Sequence, residues 1–304
     1  MMNYNLFAEL ITKYENIIIF THINPDCDAL GSSHGLKKLI NLNFKTNAYV
    51  YHENDVNDIY PKCDDISNVT DFLAIIVDVN TEKRVHGFNV FEKGIESLKI
   101  DHHPYDYEIT QYSLSNIKAA STTQIITDIA KNTNLKINKE IASDLYLGLL
   151  TDTLKFKTNN TTSETLKIAA YLLEYDLDIV DLNLKSYNVD LQMFNFETFV
   201  RNKANIINKF AYIILSYDDY TNKDIPLSKA KSLVSIFSNL NCINTYAIFC
   251  ETANGLYEAS LRSFVIPIDH IAKKYNGGGH KCACGVKNIN ISQVEEIVST
   301  MSKL

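Results

Sequence analysis

The chain is punctuated by apolar runs that are too short for helices and too unbroken for half-exposed strands. Ile17 to Thr21 is the first, and Thr46 to Tyr51, Leu73 to Val79 and Leu98 to Ile100 follow. Runs of this kind read as strands buried on both faces. Segments with helical spacing lie between and after them: Ala29 to Leu42, Ser121 to Asn132, Lys139 to Leu150, Ser163 to Glu174 and Ile179 to Lys185. Buried strands alternating with helices imply an α/β fold whose largely parallel sheet carries helices on both faces. A smaller α/β part begins near Phe210, with strand-like Phe210 to Ser216, Ile243 to Glu251 and Leu256 to Ser263. Short helices are expected there at Ser228 to Phe237, Ile268 to Lys274 and Ser292 to Ser302. The polar stretch between the two parts spaces Leu191, Phe194 and Phe199 helically and reads as a helical linker. The expected division is a first domain over 1–186, a linker over 187–208 and a second domain over 209–304, in line with a chain of 304 residues.

Composition narrows the partners. With 36 acidic against 29 basic residues and a formal charge of -7, the chain is ill suited to gripping long duplex nucleic acid. A small phosphorylated substrate held by a few local cations is not excluded. No apolar stretch approaches the ~18 residues that span a bilayer, so no membrane association is expected. Six cysteines without framework spacing suggest a reducing, cytoplasmic setting. Only three arginines occur, Arg84, Arg201 and Arg262.

The chemistry concentrates where the apolar runs stop. Ile17 to Thr21 opens into His22-Ile23-Asn24-Pro25-Asp26-Cys27-Asp28. Leu73 to Val77 stops at Asp78, Leu98 to Ile100 stops at Asp101-His102-His103, and the helix ending at Leu150 runs into Thr151-Asp152-Thr153. A turn at Asn24-Pro25-Asp26 and an N-cap at Asp28 would explain the first of these alone. They do not explain four. Acids gathered at strand ends repel one another unless a cation neutralises them. A mixed imidazole and carboxylate set suits Mn²⁺ or a similar divalent ion better than Mg²⁺ or Zn²⁺. Five acids with two or three histidines suffice for two ions sharing a carboxylate, an arrangement used in phosphoester hydrolysis.

These residues resemble the DHH phosphoesterases. The resemblance is carried by His22-x-Asn24-Pro25-Asp26-x-Asp28-Ala29-x-Gly31-Ser32, Asp78, Asp101-His102-His103 and Gly148-x-x-Thr151-Asp152-Thr153. It continues through Phe156, Thr158, Asn160 and Thr161-Thr162. It resumes at Ser260-Leu261-Arg262-Ser263 and Asn276-Gly277-Gly278-Gly279-His280, which look like the DHH-associated domain. The resemblance implies one ion on His22, Asp26 and Asp78 and a second on Asp28, Asp78, His102 and Asp152, with Asp78 shared. Asp101 would orient an imidazole and His103 would meet the scissile phosphate, assisting the leaving oxygen after attack by a hydroxide bridging the ions. Ser260, Arg262, Gly278, Gly279 and His280 would hold the terminal nucleotide.

Within the family, the pattern is most similar to small stand-alone oligoribonuclease and pAp phosphatases of the NrnA type. That similarity implies hydrolysis of very short single-stranded RNA to mononucleotides, with pAp as a further substrate. A homodimer is compatible with it. Two other readings share the parts: a cyclic di-AMP or pApA phosphodiesterase, and a non-catalytic nucleotide-binding sensor. The chain departs from the pattern at Cys27, where glycine is common, and at Lys281-Cys282-Ala283-Cys284-Gly285, where small apolar residues are usual. Cys282 and Cys284 lack spaced partners for a structural zinc and read as small hydrophobes. His34, His52, His86 and His270 match no motif and are expected on the surface or on helix faces.

Overall fold

The computed structural model describes residues 3–53, 59–104 and 108–304 and divides the chain into two units, Met1–Asn188 and Val189–Leu304. In the first unit the elements run α1 (Tyr4–Lys13), β1 (Asn16–Phe20), α2 (Cys27–Asn43), β2 (Asn47–Tyr51), β3 (Phe72–Val77), α3 (Phe88–Phe91) and β4 (Glu96–Asp101). They continue with β5 (Tyr112–Ser115), α4 (Thr122–Asn132), α5 (Lys139–Asp152), α6 (Ser163–Leu173) and α7 (Ile179–Tyr187). The strands form one parallel sheet in the order β2-β1-β3-β4-β5. β1 and β3 are consecutive neither in sequence nor in winding direction, so the sheet's topological switch point lies between them. Ligands of open α/β sheets bind beyond the carboxyl ends of the strands at that point.

Both sheet faces are covered, which is why the strands lack polar alternation. Ile17, Ile19, Leu73, Ile75 and Val77 pack under α1, α2, α4 and α5, while Ile18, Phe20, Phe72, Ala74 and Ile76 face Val85, Phe91 and the partly buried Phe88. One face therefore carries the long helices, and the other is closed by α3 and the segment before it.

α2 and α5 lie close together, and between them Lys38 Nζ meets Asp144 at 2.7 Å. Burial pushes the Asp144 carboxyl up to about 6 against the pull of Lys38. A carboxyl raised in the folded state contributes most stability below the unfolded-state value near 4, and loses that contribution as pH climbs through 6. Asp144→Asn is therefore expected to flatten the fall in Tm between pH 4 and 7. Melting both proteins across that range checks it.

The second unit runs α8 (Leu191–Asn202), β6 (Asn205–Ile207), β7 (Phe210–Leu215), α9 (Tyr217–Thr221), α10 (Leu227–Ser232), β8 (Thr245–Glu251), β9 (Tyr257–Ser263), α11 (Asp269–Lys274), β10 (Gly278–His280), β11 (Ala283–Ile289) and α12 (Ile291–Met301). Its sheet has the order β10-β11-β9-β8-β7-β6, antiparallel except for the pair β7 and β8. The stretch 187–208 is not a free-standing linker. Its helix α8 buries Phe196 and Val200 in the second unit's core beside Ile213 and Ile248, and β6 pairs with β7. The spacing of Leu191, Phe194 and Phe199 marked the helix but not its packed face: Leu191 and Phe194 are exposed, and it is Phe196 and Val200 that tie α8 to the sheet that follows it.

Candidate metal centre

Asp26 begins the site. It precedes α2 and is its N-cap: Oδ1 accepts from the amides of Asp28 at 3.0 Å and Ala29 at 3.1 Å. Asp28, expected as that cap, instead lies within the first turn and is buried. The cap frees Asp28 to point inward, because the orphan amides at the helix start are already satisfied. The loop before the cap is held from two sides. Ile23 N–H donates to Arg84 O at 2.7 Å, and the amide of Asn24, in the left-handed region at φ 55, donates to Glu53 Oε2 at 2.7 Å.

Register sets the heights of the remaining groups. Phe20 pairs with Ile76 and Val77 with Ile100, so the residues leaving β1, β3 and β4 emerge at one end of the sheet. Asp78 leaves β3 at φ 59, a left-handed backbone that aspartate tolerates better than most residues. The structure gathers three groups whose ligand atoms lie within 4.8 Å of one another: His22, Asp26 and Asp78; Asp28, His102 and Asp152; and Asp78, His102 and His103. Asp78 belongs to two of them and His102 to two, which links the whole set.

Within these groups the separations are those of ligands sharing an ion rather than of hydrogen bonds. His22 Nε2 lies 3.6 Å from Asp78 Oδ2 and 3.9 Å from Asp26 Oδ1. His102 Nε2 lies 3.5 Å from Asp78 Oδ1, 3.6 Å from Asp152 Oδ2 and 4.0 Å from Asp28 Oδ2. Donors on an ion with bonds of about 2.1 Å sit roughly 3–4 Å apart. The imidazoles are also turned correctly. His22 Nδ1 faces the Ile23 carbonyl at 3.0 Å and His102 Nδ1 faces the Ala119 carbonyl at 3.4 Å, leaving Nε2 of each as the inward atom. His103 is held differently: Asp101 Oδ1 accepts from its ring Nδ1 at 2.8 Å and from its amide at 3.2 Å. Asp101 is wholly buried, and its Oδ2 has no hydrogen-bond partner among the described residues.

Electrostatics show what so many acids require. Burial disfavours charge on His22 and His102, yet the facing carboxylates outweigh it and raise both to about 10. Burial, then Asp78 and Asp152, push Asp28 well up, and burial takes Asp152 to about 6. Asp78 moves the other way: burial opposes its charge, but His102 and His22 prevail and hold it low. The cage without cations is thus balanced by protons on its imidazoles. Carboxylates with inward imidazole Nε2 atoms, no thiolate in any group, and ligand-like spacing fit divalent ions that accept mixed oxygen and nitrogen donors.

Two contributors carried no sequence signal strong enough to single them out. Thr122 and Thr123 open α4, whose N-cap is Ser121. Their amides donate to Asp28 at 2.7 and 3.1 Å, the Thr123 hydroxyl donates to Asp28 Oδ1 at 2.9 Å, and the Thr122 hydroxyl donates to Asp78 Oδ1 at 3.0 Å. Beyond α5, Leu154, Lys155 and Phe156 form a left-handed turn, and Asn160 Nδ2 donates to Ala120 O at 3.1 Å, tying the turn's exit to the start of α4. Three consecutive left-handed residues cost roughly 1–2 kcal/mol each, a strain typical of functional sites.

His34 and His52 are not surface residues. Both are buried, with Nε2 atoms 3.1 Å apart, and His52 Nδ1 lies 2.6 Å from the Glu53 carbonyl. Burial drives His34 down to about 3, so its ring is neutral. His34 stacks on Tyr60.

In the second unit, pairing aligns the expected nucleotide-holding residues. Gly278 pairs with Gly285 and Gly285 with Ser260, while His280 pairs with Ala283 and Ala283 with Arg262. Residues two apart on a strand share a face, so Ser260, Arg262, Gly278 and His280 lie on one side. Ala259 and Leu261 fill the core on the other. The Arg262 guanidinium is half-buried and bonded to the carbonyls of Leu261 at 2.9 Å and Cys284 at 3.2 Å. Among the described residues no carboxylate pairs with it. Gly279 takes φ 132, and a Cβ there would come 2.4 Å from Ala283 O. Cys284 is buried, its thiol directed at the His280 carbonyl at 3.0 Å.

A parallel sheet of order 2-1-3-4-5 with this cage at its switch point is the architecture of a DHH-type domain. Residues 16–149 match the DHH family, N-terminal domain, and the chain belongs to the DHH family. It is 33% identical over 300 residues to the Streptococcus mutans protein named "Probable bifunctional oligoribonuclease and PAP phosphatase NrnA", covering 97% of this chain and 96% of that one. It is 29% identical over 302 residues to the "Bifunctional oligoribonuclease and PAP phosphatase NrnA" of Mycoplasma genitalium, covering 96% and 95%. In fold it is similar to an exopolyphosphatase-related protein from Bacteroides fragilis, with a TM-score of 0.87 at 20% identity over 99% of this chain and 95% of that one. Among the described residues no helix is long and apolar enough to cross a membrane.

Proposed function

We propose that this chain is a metal-dependent phosphodiesterase that hydrolyses very short single-stranded oligoribonucleotides to mononucleotides and removes a phosphate from pAp. The observation that carries the reading is Asp78: one buried carboxylate at the switch point of the sheet, with His22 Nε2 3.6 Å from its Oδ2 and His102 Nε2 3.5 Å from its Oδ1. The names of the full-length relatives support the choice of substrates. Two ions, manganese by the character of the donors, would neutralise phosphoryl charge and activate a water.

The chain's own residues do the rest. His22, Asp26 and Asp78 hold one position, and Asp28, Asp78, His102 and Asp152 the other. Asp101 fixes the His103 ring through Nδ1, so that Nε2 is the atom that holds a proton for the leaving oxygen. Arg262, already oriented by two carbonyls and with no carboxylate on it among the described residues, binds the terminal phosphate, and the backbone of Gly278 and Gly279 lets His280 approach it.

The test is turnover with Mn²⁺ on RNA dimers, pApA, cyclic di-AMP and pAp. RNA dimers and pAp are expected to turn over fastest. Preference for cyclic di-AMP would reassign the substrate, and binding without hydrolysis would leave a sensor. Arg262→Ala is expected to raise KM for substrates with a terminal phosphate about 10- to 100-fold, the loss of one charge-assisted pair, with little change in kcat.

A further inference from the structure

We propose that Thr122 is a positioning residue of the metal centre: its hydroxyl holds the plane of the Asp78 carboxylate, and without it the ions bind more weakly. The inference rests on the metal-centre reading above. Asp78 is approached by three imidazoles, but His22 Nε2 at 3.6 Å and His102 Nε2 at 3.5 Å stand at ligand spacing, and the His103 Nδ1, 3.5 Å away, is taken by Asp101. Among the described residues the hydrogen bond to its side chain is the one from Thr122 Oγ1, at 3.0 Å.

A carboxylate turns easily about its last bond, so one that must serve two ions needs an external hold. Thr122 is built to supply it. It is wholly buried, its branched Cβ restricts χ1, and its amide is anchored on Asp28 Oδ2 at 2.7 Å. The hydroxyl takes one acceptor position on Oδ1, leaving the other on Oδ1 and those on Oδ2 for cations. Helix capping does not need it. Ser121 caps α4 by accepting from the Gln124 amide at 3.0 Å, and the Thr122 hydroxyl points away from that bond to Asp78. One residue therefore holds two of the carboxylates, with its amide on Asp28 and its hydroxyl on Asp78.

The experiment is calorimetric titration of Mn²⁺ into the metal-stripped full chain and its variants. Thr122→Val keeps the shape and is expected to weaken Mn²⁺ binding about 10- to 100-fold, the usual effect of losing a residue that orients a ligand. Thr122→Ser, which keeps the hydroxyl, is expected to stay within roughly threefold of the unsubstituted chain. Thr122→Ala serves as a second hydroxyl-free form should the valine variant fail to fold. Thr127→Val removes another buried hydroxyl from α4, one bonded to the Thr123 carbonyl, and is expected to leave Mn²⁺ affinity unchanged. Unchanged affinity in both hydroxyl-free variants would overturn the inference, as would equal weakening by Thr127→Val. If the unsubstituted chain takes up no Mn²⁺, the metal centre falls and this inference with it.

Discussion

Asp78→Asn is expected to abolish paired metal binding and to lower turnover by on the order of 10³-fold or more, while leaving the fold intact. Asparagine keeps the shape and one oxygen but removes the charge that both ligand groups share. It also suits the backbone, because Asp78 sits at φ 59, where asparagine is tolerated and alanine is strained. An alanine variant would mix a backbone penalty with the lost ligand. Metal stoichiometry by calorimetry, turnover of an RNA dimer and a melting curve together check the expectation. Two ions bound with near-normal turnover would remove Asp78 from the shared position.

Gly148→Ala is expected to damage stability and the site together. Gly148 lies on α5 where that helix meets α2 and α4. A Cβ there would come 2.5 Å from the Thr123 methyl, 3.1 Å from the Asp28 Cα and 3.0 Å from Asp28 Oδ1. None of these is the loose end of a flexible side chain, since Asp28 is itself held by Thr122 and Thr123. Overpacking of this kind costs roughly 1–3 kcal/mol, a fall in Tm of about 2–10 °C. Displacing Asp28 by even part of an ångström is expected to cost up to about 10²-fold in turnover. A variant with unchanged Tm and turnover would mean that the three helices separate without consequence.

The acids and imidazoles that the structure gathers were visible in the chain because they stand where buried runs end. A strand that stops at Asp78, or at Asp101-His102-His103, announces its chemistry locally. The two threonines of α4 were not legible. Thr122 is 94 residues from Asp28 and 44 from Asp78, and a threonine after a serine cap looks like any helix start. The burial of His34, on α2, and of His52, just beyond β2, escaped for the same reason: the two rings meet across 18 residues of chain. In the stretch 187–208 the apolar spacing that was read falls largely on the exposed side of α8, so the helix read as a connector, whereas Phe196 and Val200 place it in the second core.

The chain alone left α1, β5, β6, β10 and β11 unmarked, but it marked the other strands, the longer helices, and the acids and imidazoles at their ends. Those follow from local periodicity and composition, which belong to the chain one stretch at a time. That β1 and β3 lie side by side is settled in the folded sheet. That adjacency places His22 against Asp78 and creates the switch point, and it depends on packing among residues far apart in the chain. The fold also makes one end of α4 serve two carboxylates from different elements, a property no single segment contains.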